Sequence, residues 1–205
     1  MPSTEKNNEK TRKEILDKTA QLFLARGYKK TSIREIAEAT GMLKGNLYYY
    51  FRKKEDILLV LFQDSIKVLY SELQKIIGNV DPLICHAIMV RTYLRILDEN
   101  RGLLKIYVEA SQVPVLRQAF FDILNHVFND VIQNSSYTFD DTMLYLSTIS
   151  SASVEMEMVS QYEQEYFSME DIISTVVRVK LSLLNIEPRR IDDIIKASLS
   201  YKLNI

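Results

Sequence analysis

The 205-residue sequence contains one cysteine, two histidines, five glycines, four prolines and no tryptophan. A single cysteine cannot form an intramolecular disulfide, which fits a protein kept in a reducing compartment. So few glycines and prolines leave few breaks for the many turns that a sheet protein needs. The sequence has no apolar run of about 18 residues that could span a membrane, and its first residues are polar, unlike those of a signal peptide. We therefore expect an all-α protein located in the cytoplasm.

Motifs of catalysis and cofactor binding are also missing. The sequence has no phosphate-binding loop, no dinucleotide-binding glycine pattern and no nucleophile elbow. Cys85, His86 and His126 could in principle ligate a metal, but adjacent helical residues point about 100° apart and no paired i, i+4 ligands occur. We expect neither an enzyme nor a metal or cofactor site.

Charge is distributed unevenly along the chain, although the net charge is only -1. Residues 1–55 carry 13 Lys or Arg against 7 Asp or Glu, a net charge of +6. The remaining residues carry a net charge of -7. Only the N-terminal part is therefore suited to binding phosphate.

The N-terminal part has the pattern of three short helices. Apolar residues at helical spacing predict a first helix over 11–26, ended by Gly27. Ser32 and Glu35 have capping-box spacing and begin a second helix, which ends before Gly41. Residues 43–50 then form a third helix after a sharp turn. This pattern is typical of a helix-turn-helix module.

The rest of the chain is predicted to be helical throughout. A long amphipathic helix at about 55–77 follows the module, and further helices are expected at about 82–99, 101–111, 114–134, 140–164, 169–185 and 188–202. Pro82, Pro114 and Pro188 all fit first-turn positions, where the missing N–H is tolerated. We divide the chain into an N-terminal three-helix helix-turn-helix domain over 1–54 and a helical bundle over 55–205.

Residues 31–57, TSIREIAEATGMLKGNLYYYFRKKEDI, carry a family resemblance. The second helix and turn (TSIREIAEATG), the third helix (KGNLYYYF) and the opening of the fourth (KKEDI) together resemble the DNA-binding signature of the TetR/AcrR family of transcriptional regulators. The resemblance implies that the helical body binds a small-molecule ligand and forms a homodimer. The chain beyond this segment shows no specific subfamily.

The third helix supplies the candidate DNA contacts. Lys44 can donate to guanine O6 or N7, and Gly45 lets the backbone approach a base edge closely. The resemblance implies that Thr31, Asn46, Tyr48, Tyr49 and Tyr50 contact the DNA backbone. Lys54 lies at the start of the fourth helix, where its charge and the free N–H groups could bind one phosphate. Arg52 and Lys53 are interpreted mainly as solvated charges.

One position departs from the family pattern. The family commonly has Ser or Thr beside the lysine, where the hydroxyl caps the recognition helix, whereas this chain has Met42 and Leu43. Losing such a cap costs about 1 kcal/mol. We expect an apolar contact at Leu43, for which a thymine methyl is a suitable partner.

Candidate ligand and dimer residues come from the helical body. Aromatic and apolar residues of the helices that usually surround the family's cavity suggest an apolar or aromatic ligand, although aromatic residues at helical spacing more often form core: Tyr93, Tyr107, Phe120, Phe121, Leu124, Phe128, Tyr145 and Met158. Small and apolar residues of two C-terminal helices suggest a two-fold four-helix dimer interface, with packing inside the chain as the alternative: Ser147, Ser151, Val154, Met158, Ile173, Val176, Val177, Leu181 and Leu184.

These features predict a homodimeric, sequence-specific DNA-binding regulator, in the form of a repressor released from a palindromic operator by a small apolar or aromatic ligand. Two alternatives stay open. The chain could be an architectural DNA-binding protein that acts away from promoters, or an all-helical small-molecule-binding protein without specific DNA reading.

Overall fold

The structure is a computed structural model that describes residues 2–76, 80–133, 137–162 and 166–201. Helices account for nearly all of these residues, and no strand occurs among them. The helices are α1 (Pro2–Arg26), α2 (Ile33–Thr40), α3 (Lys44–Tyr50), α4 (Lys54–Ile76), α5 (Pro82–Glu99), α6 (Arg101–Ser111), α7 (Pro114–Gln133), α8 (Asp141–Gln161), α9 (Met169–Leu183) and α10 (Pro188–Ser198). The prediction of an all-α fold is confirmed.

Helices α1 to α3 share a small apolar core, here called the head. Its buried side chains come from all three helices and from the first turn of α4: Ile15, Leu16, Ile36, Ala37, Leu47, Phe51 and Ile57. The predicted capping box at Ser32 and Glu35 is present. Gly41 ends α2 with φ +67°, a left-handed conformation that favours glycine. These two signals fix where α2 begins and ends, and so aim α3.

Helices α5 to α10 form the body, in which α8 and α9 pack along each other and α5 contacts α7, α9 and α10. Helices α5 and α6 have the predicted bounds, and Pro82, Pro114 and Pro188 each begin a helix. The predicted helix ends at 77, 134, 164 and 202 lie outside the described residues. No helix in the described part of the chain is long and apolar enough to cross a membrane.

The apolar stripe predicted to face a second subunit is buried within the chain, which corrects that expectation. Five residues of α9 and its C-cap are at most 3% exposed: Ile173, Val176, Val177, Leu181 and Leu184. Ser147 and Ser151 of α8 are buried as well. The physical reason is that small residues of α8 let α9 pack closely, so the two stripes cover each other. Val154 and Met158 are only half-buried.

The head docks on the body through the turn after α1 and one face of α6. The backbone N–H of Lys29 donates to Glu109 Oε2 at 2.8 Å, and Gly27 at φ +88° lies so close to Glu109 that a Cβ would meet its carboxylate at 2.9 Å. Phe23 and Tyr28 belong to the body's core rather than the head's. The domain boundary between residues 54 and 55 therefore stays a prediction, because residues before it pack in the core of the body.

Candidate nucleic-acid interface and ligand cavity

Helix α3 presents its polar and aromatic residues to solvent because only Leu47 is anchored in the head core. Leu47 is fully buried, while Lys44, Asn46, Tyr48 and Tyr49 are exposed. Tyr49 is 76% exposed. A helix with one buried side chain and four exposed groups of this kind has the shape of a recognition helix, which reads base edges with some side chains and contacts phosphate with others.

The N-terminus of α3 lacks a side-chain cap, as the sequence indicates. Leu43 occupies the N-cap position without a capping hydrogen bond and is 77% exposed. An isolated leucine this exposed gains nothing from the head's core. Its side chain is therefore free to contact an external apolar group, such as a thymine methyl.

Gly45 has no packing reason to be glycine. A Cβ built at this position meets no atom within 4 Å, and no left-handed φ is found there. The protein's own fold would accept a side chain at Gly45. The open space beside its backbone is therefore available to an external partner that approaches closely.

Two predicted contacts face inward. Thr31 is 1% exposed and its hydroxyl donates to the Gly27 carbonyl at 2.8 Å, so the side chain closes the turn after α1. Tyr50 is half-buried and its hydroxyl donates to Asn8 Oδ1 at 3.2 Å. Neither hydroxyl lies on the exposed face of α3, because the Thr31 hydroxyl is held by the Gly27 carbonyl and the Tyr50 hydroxyl by Asn8.

Lys54 fastens the start of α4 to the turn after α1. Its ammonium donates to the carbonyls of Tyr28 and Thr31 at 2.8 and 2.9 Å and lies 4.2 Å from the centre of the Tyr28 ring. Burial lowers the pKa of this ammonium. Two of its three N–H groups are thus used inside the protein, which leaves one for an external acceptor.

A basic depression on the head surface contains cations that the sequence interpretation underrated or missed. It lies between the turn after α1, helix α3 and the turn before α4, and five cations line it: Lys29, Lys30, Arg52, Lys53 and Lys54. Tyr48 borders the same depression. Five cations beside an exposed phenol form a surface suited to a DNA backbone. In the sequence, the charge run 52–54 and the net charge of +6 over residues 1–55 indicated such a surface.

A second, larger cavity of about 830 Å³ lies between the head and the body. Its wall comes from α1, α4, α5, α6 and α7 and is mostly apolar. Charged wall residues such as Arg12, Lys13 and Asp64 are exposed, whereas Tyr107 is buried. The cavity therefore opens to solvent between α1 and α4 and reaches inward to α5 and α6. Its size suits a drug-sized apolar ligand.

Three of the eight predicted ligand residues, Tyr93, Tyr107 and Phe120, lie on the cavity wall. The structure does not bring the other five to this wall: Phe121, Leu124, Phe128, Tyr145 and Met158. Phe128 is a core residue, and Tyr145 is on the surface, where Gln118 donates to its hydroxyl. The wall residues supplied by α1 and α4 were not predicted, because the contact between head and body is tertiary.

A buried carboxyl lies behind the cavity wall. The hydroxyls of Tyr93 and Tyr107 hydrogen-bond the two carboxyl oxygens of Glu155, one each. Glu155 is 2% exposed, and burial raises its pKa to about 8. Sequence analysis missed this residue, although Leu144, Ser147, Ser151 and Glu155 follow helical spacing on the buried face of α8.

A separate polar cluster lies deeper in the body, around Phe128. The Lys180 ammonium lies 3.9 Å from the centre of this ring and donates to the Thr148 hydroxyl at 2.6 Å. His86 packs edge-on against the same ring, and neither of its ring nitrogens has a hydrogen-bond partner in the described structure. Burial lowers the pKa of Lys180 to about 7 and that of His86 below its usual value.

With this geometry in place, comparison with known proteins becomes informative. Residues 15–61, which span the head and the first turns of α4, match the family model described as bacterial regulatory proteins, tetR family. This match assigns the head of the chain, rather than its body, to the tetR family. Helix α3 and Lys54, at the start of α4, both lie within the matched residues.

Beyond this tetR-family head, curated relatives match the sequence over only part of the chain, whereas solved structures match the fold over most of it. The transcriptional repressor KstR2 of Rhodococcus jostii is 29% identical over 110 residues, 53% of this chain and 54% of the relative. The fatty acid metabolism regulator of Bacillus subtilis is 34% identical over 53 residues, 26% of this chain and 27% of the relative. The chain thus spans about half or less of the length of the two curated relatives.

Solved structures match over nearly the whole chain. RolR in complex with resorcinol has a TM-score of 0.68 at 18% identity, covering 98% of both chains. FadR of Thermus thermophilus with lauroyl-CoA, a TetR-family repressor, has a TM-score of 0.64 at 18% identity, covering 86% of this chain and 96% of that chain. At this identity the likeness shows a shared fold of tetR-type head and helical body.

Proposed function

We propose that this protein is a homodimeric transcriptional repressor, which binds a palindromic operator through α3 and is released by a small apolar or aromatic ligand in the cavity. The observation that carries the proposal is the composition of the cavity wall. Helix α1 is part of the head and α4 begins in its core, whereas α5, α6 and α7 belong to the body. A ligand in this cavity contacts both parts at once.

Helix α6 offers a direct mechanical connection. One of its faces puts Leu103 and Tyr107 on the cavity wall, and Glu109 near its C-terminal end accepts from the backbone of Lys29. Helix α4 makes a second connection, from Phe62 on the wall to Lys54 beneath the turn after α1. A ligand that displaces either helix shifts the head. A coupling free energy of about 1–3 kcal/mol would change operator affinity about 5- to 150-fold.

Known ligands of structural neighbours support a ligand of this class. RolR was solved with resorcinol and the Thermus FadR with lauroyl-CoA, one aromatic and one carrying a long apolar chain. The mostly apolar wall of this cavity agrees with either chemistry. We propose the broader class, a small apolar or aromatic molecule, for this protein.

The proposed dimer uses the outward faces of α8 and α9, since their inner faces are buried. Leu146 and Leu183 are 49% and 44% exposed, and Val154 and Val179 on the same two helices are half-buried. We expect Leu146→Glu with Leu183→Glu to convert a dimer to monomers in sedimentation equilibrium. Leu199→Glu, at another exposed leucine, is the matched control and should leave the dimer intact. Equal behaviour of the two variants would refute this interface.

Selection of bound fragments from the source genome tests DNA reading. The wild-type protein should enrich one palindrome near promoters, and Lys44→Ala should relax the base preference while keeping residual, salt-sensitive binding. Binding that is equally strong on every sequence would contradict specific reading. Enrichment of many sites without promoters would favour an architectural role.

A further inference from the structure

The polar part of the inner cavity wall is a triad of Tyr93, Tyr107 and Glu155. The two phenol rings line the cavity, and their hydroxyls hydrogen-bond the carboxyl group of Glu155 behind them. The charged wall residues of α1 and α4 are exposed at the mouth instead. A ligand that reaches inward therefore meets the two tyrosines whose hydroxyls bind Glu155.

No cation among the described residues neutralises Glu155. Helix α5 contributes Tyr93 and helix α6 contributes Tyr107, both uncharged. On α7, Arg117 reaches the exposed Ser153 hydroxyl, and on α9 the Lys180 ammonium binds Thr148, which lies seven residues, about 10 Å, earlier along α8. A buried carboxyl without a nearby cation favours its neutral form, and the pKa of Glu155 is accordingly raised to about 8.

Counting protons shows what the triad offers. A neutral carboxyl and two phenols hold three O–H groups but share only two hydrogen bonds. We expect the carboxyl O–H to donate to one phenol oxygen, which frees the O–H of that phenol, whose residue lines the cavity, for an external acceptor. An ionised carboxylate would instead accept from both phenols and leave neither phenol O–H free for a ligand.

We propose that the triad is the polar recognition point of the effector site and selects an uncharged lipophilic molecule that carries an oxygen acceptor, a carbonyl or a hydroxyl oxygen. The free phenol O–H donates to that acceptor while the rest of the molecule fills the apolar cavity. A carboxylate is disfavoured because its burial would find no compensating cation on the inner wall. This inference rests on the proposed role of the cavity as the effector site.

Matched naphthalene derivatives test the inference with the full-length protein. The ketone 2-acetonaphthone carries one carbonyl acceptor, and 2-isopropenylnaphthalene has the same shape without it. Isothermal titration at pH 7 should show the ketone binding about 2- to 10-fold more tightly than the alkene, the ratio that one hydrogen bond supplies. The anion 2-naphthoate should bind more weakly than either neutral probe.

The pH dependence separates the triad from general apolar binding. The neutral carboxyl is lost as pH rises through about 8, so the ketone's advantage over the alkene should shrink between pH 7 and pH 9. In Glu155→Gln the amide donates at every pH, and the advantage should become independent of pH. Tyr93→Phe with Tyr107→Phe should abolish the advantage while both neutral probes still bind.

The outcomes distinguish the two proposals. Equal binding of ketone and alkene at pH 7 would overturn the triad inference and leave the cavity's role intact. Tightest binding by the cation 2-naphthylmethylammonium would also overturn it, because the cavity would then select a charged ligand rather than an uncharged one. If none of the probes bound, the proposed effector site itself would fail.

Discussion

Tyrosines occupy opposite environments in the head and the body. Tyr48 and Tyr49 lie on the exposed face of α3, and Tyr49 is 76% exposed. Tyr93 and Tyr107 line the cavity, and both hydroxyls are bound to Glu155. A phenol in water next to cations suits phosphate, whereas a phenol on a buried acid suits an uncharged ligand. The position of a helix relative to its core, rather than the residue type, therefore determines what a tyrosine hydroxyl can bind.

The largest expected effect comes from breaking the anchor of the exposed face. Leu47 is fully buried in the head core, so Leu47→Ala should lower the free energy of unfolding by about 2–5 kcal/mol. Leu43→Ala, on the same helix at 77% exposure, is the matched control and should leave stability unchanged while weakening DNA binding. Denaturant unfolding measures the stability of both variants. Equal losses of stability would contradict the assigned orientation of α3.

The buried cation of the body gives the next effect, with the opposite sign. Lys180 is 2% exposed and has no carboxylate partner among the described residues, so Lys180→Met should raise the free energy of unfolding by about 1–4 kcal/mol at pH 6. The pKa of Lys180 is lowered to about 7 in the folded protein, so its unfavourable contribution is complete below pH 7 and fades as pH rises toward 10.5.

The advantage of Lys180→Met over wild type should therefore shrink between pH 7 and pH 10. Lys196→Met, at an exposed position on α10, is the control and should change stability little at any pH. A gain for Lys180→Met that stayed constant across this range would show that the ammonium is not desolvated in the folded state.

A smaller effect separates folding from DNA binding at Gly45. Alanine fits there without contact, so Gly45→Ala should keep or raise stability, by up to about 1 kcal/mol from helix propensity. Operator affinity should nevertheless fall, because the methyl group occupies space that the DNA backbone or a base edge needs. Thermal unfolding and fluorescence anisotropy on the selected operator measure the two effects. Unchanged affinity would remove Gly45 from the interface.

The smallest expected effect comes from substituting one tyrosine of the head and one of the body. Tyr49→Phe should weaken binding to all DNA sequences by about 0.5–1.5 kcal/mol through loss of one hydrogen bond. Tyr107→Phe should leave operator affinity without ligand close to wild type and alter only the binding of probes in the cavity. Fluorescence anisotropy measures operator affinity, and titration calorimetry measures probe binding. Weaker operator binding by Tyr107→Phe, with altered probe binding by Tyr49→Phe, would contradict the roles assigned to the two sets of tyrosines.

Sequence patterns predict most of the fold because its boundaries depend on local chemistry. Ser32 with Glu35, Gly41 and the three helix-starting prolines are readable signals, so α5 and α6 were predicted to the residue. The exposed side of α3 was equally accessible, since adjacent tyrosines cannot share one small core. Local periodicity and caps therefore suffice for the head.

Most of the cavity wall and the link of its tyrosines to Glu155 could not be predicted, because they join residues distant in sequence. Tyr93 and Glu155 are 62 positions apart, and the wall supplied by α1 depends on how the head docks. The stripe on α9 illustrates the same limit, since a sequence shows that an apolar face needs cover but not what covers it. Helical spacing aligns Glu155 with Leu144, Ser147 and Ser151 on one face of α8, a signal for a buried charge that the sequence analysis did not use.

The proposed function requires that a ligand bound between head and body controls the affinity of the protein for its operator. The most direct measurement is operator affinity at rising concentrations of 2-acetonaphthone, with Tyr93→Phe, Tyr107→Phe as the comparison protein. The account predicts that the saturated wild-type protein binds its operator about 5- to 150-fold more weakly, with a rightward-shifted response in the variant. Operator affinity that stays unchanged while calorimetry shows the cavity filled would contradict it.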